Sequence, residues 1–328
     1  VLAFLMVVSL IPVNSLMTKA NAASKTTFEG GKTVEDGTWK GWTWNVFGSS
    51  TDVTKAFATD TGNGGVTLEV TGDKGKINGS ASDQGLNTFL YELDKSYDFT
   101  ITAQAKVDTL AANAQAAFGL TIRDNVGAHG NTAKLTADKN NFAFVGGYGN
   151  QAASGHGNAG YKTTALAHTR LGESPEVGGT YDLAIQKVGD SVKLYFNGEV
   201  AAECSADDLI TDNAMYVGLF AARNAKVTFN NVKLAYTQDS SSVKVTTNVT
   251  APKKTTYCAG NTYEDVDLTG FKATVSVDGK EREITASDCV VDMSNDPFAE
   301  VTDAGKLNLL YLGQTIEVPI TVIKEVVS

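Results

Sequence analysis

Phe99-Thr100-Ile101-Thr102-Ala103-Gln104-Ala105-Lys106-Val107 decides the fold. Its odd positions are apolar and its even ones polar. A β-strand turns successive side chains to opposite faces, so this segment reads as a strand with one face in a core and the other toward water. The alternation returns in Val192-Lys193-Leu194-Tyr195-Phe196, which ends at the hairpin pair Asn197-Gly198, and in Val66-Thr67-Leu68-Glu69-Val70 and Val227-Thr228-Phe229. Helical periodicity is nearly absent, glycine is abundant at 32 of 328 residues, and turn signals recur roughly every 8–12 residues, the spacing of an all-β sandwich or barrel. Only the Ala-rich stretch 108–117 reads as a short helix or loop.

Other stretches divide the chain. Residues 1–22 pair an apolar run (VLAFLMVVSLIPV) with Ala20-Asn21-Ala22, the h-region and small-residue cleavage pattern of a secretory signal peptide. Asn14, Ser15 and Lys19 break that run too early for a membrane anchor. The expectation is a secreted or cell-surface protein with no membrane insertion after cleavage. With no Met ahead of Val1 and an abrupt stop after Ser328, both ends read as cut from a longer protein. Residues 23–236 then form a larger β-sandwich, the Ser/Thr-rich 237–250 a linker, and 251–324 a second, smaller β unit. In that unit Phe271-Lys272-Ala273-Thr274-Val275-Ser276-Val277 alternates into Asp278-Gly279, and Pro319 marks an edge strand because it cannot donate to a ladder.

Charge narrows the partners. The chain carries a formal −10; residues 23–236 hold 18 Lys and Arg against 23 Asp and Glu, and 237–328 hold 8 against 14. Neither part has the basic excess that nucleic acid or an anionic membrane requires, although a polyuronate could be met by local cations. Three widely spaced cysteines, Cys204, Cys258 and Cys289, make no disulfide framework; Cys258 and Cys289 bridge or stay free, and spacing does not decide it.

The series Asp83-Gln84-Gly85-Leu86-Asn87-Thr88-Phe89-Leu90-Tyr91, Phe118-Gly119-Leu120-Thr121-Ile122-Arg123-Asp124, Asn141-Phe142-Ala143-Phe144-Val145-Gly146-Gly147-Tyr148 and Tyr216-Val217-Gly218-Leu219-Phe220-Ala221-Ala222-Arg223 resembles the concanavalin A-like jelly-roll sandwiches attached to bacterial pectate lyases and other polysaccharide-degrading enzymes. The second unit resembles a bacterial immunoglobulin-like domain in Lys254-Thr255-Thr256-Tyr257, Asp267-Leu268-Thr269-Gly270-Phe271 and Leu309-Leu310-Tyr311-Leu312-Gly313-Gln314-Thr315. The resemblance implies an accessory module that holds plant cell-wall polysaccharide such as pectin. It also implies association with a cell wall or an enzyme domain through chain beyond Ser328. An adhesion protein binding a protein partner, and a lyase or hydrolase, stand as rival readings.

Candidate residues follow. Phe118, Leu120 and Ile122 point to the core, so Arg123 projects to the opposite face, where its rigid fork either meets sugar hydroxyls and carboxylates or pairs with Asp124. The resemblance places Tyr148, Asn150 and Arg223 near the same groove. Trp42 and Trp44 share a strand face and either stack on a sugar ring or pack the core. No catalytic residue is expected. The glucanases of this fold use E-x-D-x-x-E, and Glu92-Leu93-Asp94 lacks the second Glu, since Tyr97 stands there. His129, His156 and His168 read as exposed imidazoles on Gly-rich rim loops rather than a metal or acid–base site. Asp265-x-Asp267-x-Thr269-Gly270 opens like a calcium loop but has Ser276 where the closing Glu belongs. No cofactor or metal is expected, with a structural calcium at Asp60-Thr61-Gly62-Asn63 left open.

Overall fold

The computed structural model describes residues 25–48, 51–77, 84–113, 115–133, 141–149, 151–157, 167–171 and 174–324. The expected signal peptide, residues 1–22, lies outside them. No helix among the described residues is long and apolar enough to cross a membrane.

The larger unit is two antiparallel sheets packed face to face. Seven strands run in the spatial order Ala167–Arg170, Gln151–Gly157, Phe142–Tyr148, Ala117–Arg123, Ala214–Ala222, Gly85–Asp94, Trp42–Gly48. Eight run Thr26–Thr27, Ala56–Asp60, Val66–Val70, Ala225–Thr237, Asp98–Leu110, Thr180–Val188, Ser191–Phe196, Glu199–Ser205. From Val66–Val70 to Ala117–Arg123 each successive strand crosses to the other sheet, the jelly-roll type of connection. The apolar members of each alternating strand interdigitate between the sheets: Phe99, Ile101, Val107, Leu183 and Leu194 from one, Phe118, Leu120, Ile122, Val217 and Leu219 from the other. Burying such a side chain stabilises the fold by about 1.5–3 kcal/mol each. The Asn197-Gly198 hairpin forms, with φ of 48° and 84° at its two central residues. Of the stretch 108–117, expected as a short helix or loop, the described residues continue a strand to Leu110, pass through non-helical positions and enter the next strand at Ala117. The Gly-rich region expected as loops also supplies two paired strands, Gln151–Gly157 and Ala167–Arg170.

Glycines inside the strands have a steric cause. Gly119 and Gly146 face each other across neighbouring strands with φ of 153° and 151°. A Cβ on either would run into the carbonyl oxygen of Val145 or Phe118.

The second unit is a smaller two-sheet sandwich with its own core around Phe271, Val275, Leu307, Leu309, Val318 and Tyr257. One sheet orders Lys244–Thr250, Lys272–Val277, Lys280–Thr285, and the other Thr256–Cys258, Gln314–Ile323, Thr302–Tyr311, Val290–Asp292. Gln314–Ile323, expected as an edge strand, instead lies between Thr256–Cys258 and Thr302–Tyr311; the short Thr256–Cys258 pairs with Thr321, Val322 and Ile323, past Pro319, whose missing N–H is therefore tolerated. All three cysteines are free thiols.

The stretch 237–250 is not a linker. Residues Lys244–Thr250 are a strand of the second unit, and Ser240 is buried in the junction. Nor do the even residues of the opening segment all meet water. Thr100 and Thr102 are 2% and 8% exposed, because the smaller unit docks there. Thr100 Oγ1 accepts from Leu312 N at 3.1 Å, and Thr102 Oγ1 donates to Ser287 O at 2.6 Å. Beside them Asp98 accepts from Gly189 N at 2.7 Å and Ser240 N at 3.3 Å, with Lys187 Nζ 3.6 Å away. A threonine hydroxyl suits water or a neighbouring carbonyl equally, so polarity alone could not foretell the docking.

Candidate functional site

The outer face of the seven-stranded sheet, expected to be an open groove, is an apolar layer. Phe47, Ile77, Leu86, Phe142, Phe144 and Phe220 lie there fully buried. Arg123 is buried among them with none of its surface exposed. Its Nη2 donates to Gln84 Oε1 at 2.6 Å and its Nε to Asn125 O at 3.2 Å, and the guanidinium lies 5.2 Å from the Phe142 ring centroid and 5.6 Å from that of Phe47. Burial draws its pKa down to about 10, against the pull of Asp124, so it stays charged at neutral pH. Arg123 therefore organises the interior and does not face a ligand. Next to it, burial pushes the Asp124 carboxyl up to about 6 while the Arg123 charge opposes the shift. Asp124 also accepts from Asn141 N at 2.9 Å and Asn141 Nδ2 at 2.8 Å.

Trp42 and Trp44 turn to the core as well, at 5% and 7% exposure, so neither is presented to a sugar. Trp42 stacks on Phe89 with ring centroids 5.2 Å apart, and Trp44 Nε1 donates to Asn87 Oδ1 at 2.7 Å. His129 is half-buried rather than an exposed rim imidazole. Its ring sits 4.9 Å from that of Trp44, its Nδ1 accepts from Val46 N at 3.2 Å, and the chain at Gly30 passes directly against it. Burial lowers its pKa, with a hydrogen bond to the Trp44 backbone opposing. Register sets His156 opposite Ala167 and His168 opposite Gly155 on paired strands; their side chains fall outside the described ones.

Asp94 accepts from Ser96 N at 2.9 Å and Ser96 Oγ at 2.7 Å, capping the turn into Tyr97, and Glu92 hydrogen-bonds Tyr216. Both carboxylates are thus engaged locally. Asp60 accepts from Gly62 N at 2.8 Å within its own turn, and Asp267 from Thr269 N at 2.9 Å. Among the described residues no three His, Cys, Asp or Glu side chains gather as a metal site.

Two of the sequence candidates do come to one place. Register aligns Tyr148 with Ala117 and Ala117 with Ala222, so Tyr148 and Arg223 occupy the same end of the sheet, while Arg123 lies at the other end of its strand. Tyr148 is half-buried beside Phe144, with ring centroids 6.3 Å apart. Arg223, also half-buried and held at φ 51°, donates from Nε to Gly75 O at 3.1 Å. Asn150 falls outside the described residues. Sequence reasoning missed the turn 71–77 that closes this end. Its signal was Gly72-Asp73-Lys74-Gly75-Lys76, glycines spaced around lysines on an acidic chain.

Fold and site together define an all-β protein of two sandwiches, the larger a jelly roll whose polar rim gathers at one end. No family model matches the chain. It is 29% identical over 282 residues to pectate lyase L of Thermoclostridium stercorarium, a match covering 85% of this chain and 21% of that protein. The chain thus spans about a fifth of the length of the curated relative it matches. Similar solved structures include the carbohydrate-binding module CBM66 from Bacillus subtilis (17% identical, 59% of this chain and 94% of that one, TM-score 0.35). Others are lectin II from Ulex europaeus (10%, 66% and 99%, TM-score 0.40) and an alginate lyase from Corynebacterium sp. (12%, 53% and 77%, TM-score 0.37). At these scores the likeness bears on neither ligand nor activity.

Proposed function

We propose that this chain is the carbohydrate-holding, non-catalytic part of an extracellular polysaccharide-degrading protein. In this reading its larger sandwich meets plant cell-wall glycan such as pectin at the end carrying Tyr148 and Arg223. The smaller sandwich is an immunoglobulin-like module that fixes the first in place. The observation carrying the proposal is the match to a pectate lyase, which runs through both sandwiches yet takes in only 21% of that protein. A segment of that share is the right size for an accessory region beside a catalytic one.

The chemistry asked of the rim is modest. A tyrosine ring offers an apolar face to the C–H side of a pyranose, and a guanidinium with one nitrogen already committed to Gly75 O still has donors for hydroxyl or carboxylate oxygens. Cleaving a glycosidic bond by hydrolysis needs two carboxylates set across it. The E-x-D pair that comes nearest, Glu92 and Asp94, is engaged with Tyr216 and Ser96.

A glycan array probed with the intact chain, run beside product analysis on pectin, tests this. The expected result is retention of at least one cell-wall glycan with no shortened product. Retention of none would favour the adhesion reading, and release of unsaturated or reducing-end fragments would make the chain an enzyme.

A further inference from the structure

We infer that the rim beside Arg223 is an anion-binding site for acidic glycans, built from Lys55 and Lys74 around the turn 71–77. The inference rests on the carbohydrate-holding role proposed above and adds the ligand's charge.

The chain is acidic overall, at −10, yet this end reverses the sign. Lys55, whose stem lies across Gly72, and Lys74 flank this turn beside Arg223, whose Nε donates to Gly75 O, against the neighbouring carboxylates of Asp52 and Asp73. One of those two is already engaged: Asp52 accepts from Thr54 N at 3.0 Å and Thr54 Oγ1 at 2.6 Å, capping the 3-10 turn Val53–Lys55. Those hydrogen bonds hold its pKa down, with the charges of Lys55 and Lys74 adding to the effect. Some lysines elsewhere in the larger unit are matched, Lys32 with Glu29, Lys95 with Asp207 and Lys226 with Glu69. Among the described residues Lys55, Lys74 and Arg223 form no such ion pair.

The turn is also held in shape. Asn224 N donates to Gly72 O at 2.8 Å, Arg223 Nε to Gly75 O at 3.1 Å, and Thr71 N to Lys55 O at 2.8 Å. Lys76 and Gly85 exchange both backbone hydrogen bonds, at 2.7 and 3.0 Å. Gly75, at φ 90°, lies against Gly85 and Arg223, an approach that only a glycine makes without strain. The Lys55 stem lies across Gly72. A backbone tied down at four points holds the bases of these side chains at a fixed spacing, so repeated anionic groups along a polymer can be met together. A sugar polymer bearing a carboxylate or sulfate on each unit supplies that repeat.

Affinity electrophoresis of the intact chain in gels containing polygalacturonate, its methyl-esterified form, a sulfated galactan or a neutral galactan reads this directly. Polygalacturonate should retard the wild type, and added salt should weaken the effect. The variant Lys55→Glu/Lys74→Glu should be retarded about tenfold less, each exposed charge contributing modestly and a reversal counting twice. Both side chains are exposed, and an unchanged melting temperature confirms that the variant folds. Loss of retardation on methyl esterification assigns the site to carboxylates, and equal retardation by the sulfated galactan assigns it to anionic groups in general. Polygalacturonate retardation that is the same in the double variant overturns the inference. Retardation by the neutral galactan alone would also sink it while leaving the carbohydrate-holding role standing; retardation by none of the four removes both.

Discussion

Asp124 carries a pH signature. Folding raises its carboxyl from an ordinary 3.8 to about 6, so between those values the folded chain keeps a proton that the unfolded chain has released. The stability this group contributes is therefore greatest below pH 3.8 and is lost as pH rises through about 6. Chemical denaturation at a series of pH values should show the wild type losing stability across that window relative to Asp124→Asn; parallel curves would mean that the carboxyl is not shifted. Arg123 yields a sharper prediction. Removing its guanidinium in Arg123→Met takes the donor away from Gln84 Oε1 and Asn125 O and should cost about 2–4 kcal/mol. Glycan retention by the fraction that stays folded should be unaltered. Alternation put Arg123 on the face away from the core but did not foretell its burial, since a period of two fixes direction and is silent on what covers a sheet. Trp42 and Trp44 show the same limit: their shared face was legible, and whether it met core or ligand was not.

At the level of strands, the sequence carried most of the information, because in a two-sheet sandwich one stripe of each strand must be apolar. Val66–Val70 and Ser191–Phe196 emerge as the alternation indicates. The strands of 151–170 stayed hidden because Gly, Ala and Ser alternate without a hydrophobic contrast to read. The mid-strand glycines were visible only as letters of a resemblance, and their reason is steric. Gly146→Ala places a methyl group against Phe118 O, and should lower stability by more than about 3 kcal/mol or abolish soluble protein. A Gly146→Ala protein that melts with the wild type would contradict the close approach of these strands.

Across the whole molecule the two sandwiches are joined by a buried polar junction instead of a flexible tether. Thr237 Oγ1 donates to Asp278 Oδ1 at 2.6 Å and Gln314 Nε2 to Ser240 O at 2.9 Å, next to the buried Asp98–Lys187 pair. Shortening the chain to 25–243 uncovers Thr100, Thr102 and Lys187, and should lower the melting temperature of the larger sandwich by about 4 °C or more. An unchanged transition would mean that docking adds nothing to its stability. The Ser/Thr composition of 237–250 misled here because those side chains serve a wet linker and a hydrogen-bonded strand alike. The account as a whole turns on a glycan held at the Tyr148 end and left intact. Calorimetric titration of the intact chain with pectic oligosaccharide, repeated with Tyr148→Ala, tests that most directly. Saturable heat in the wild type, about tenfold weaker binding in the variant and an oligosaccharide of unchanged length afterwards are the predicted result; equal affinity in the two proteins, or a shortened oligosaccharide, would contradict it.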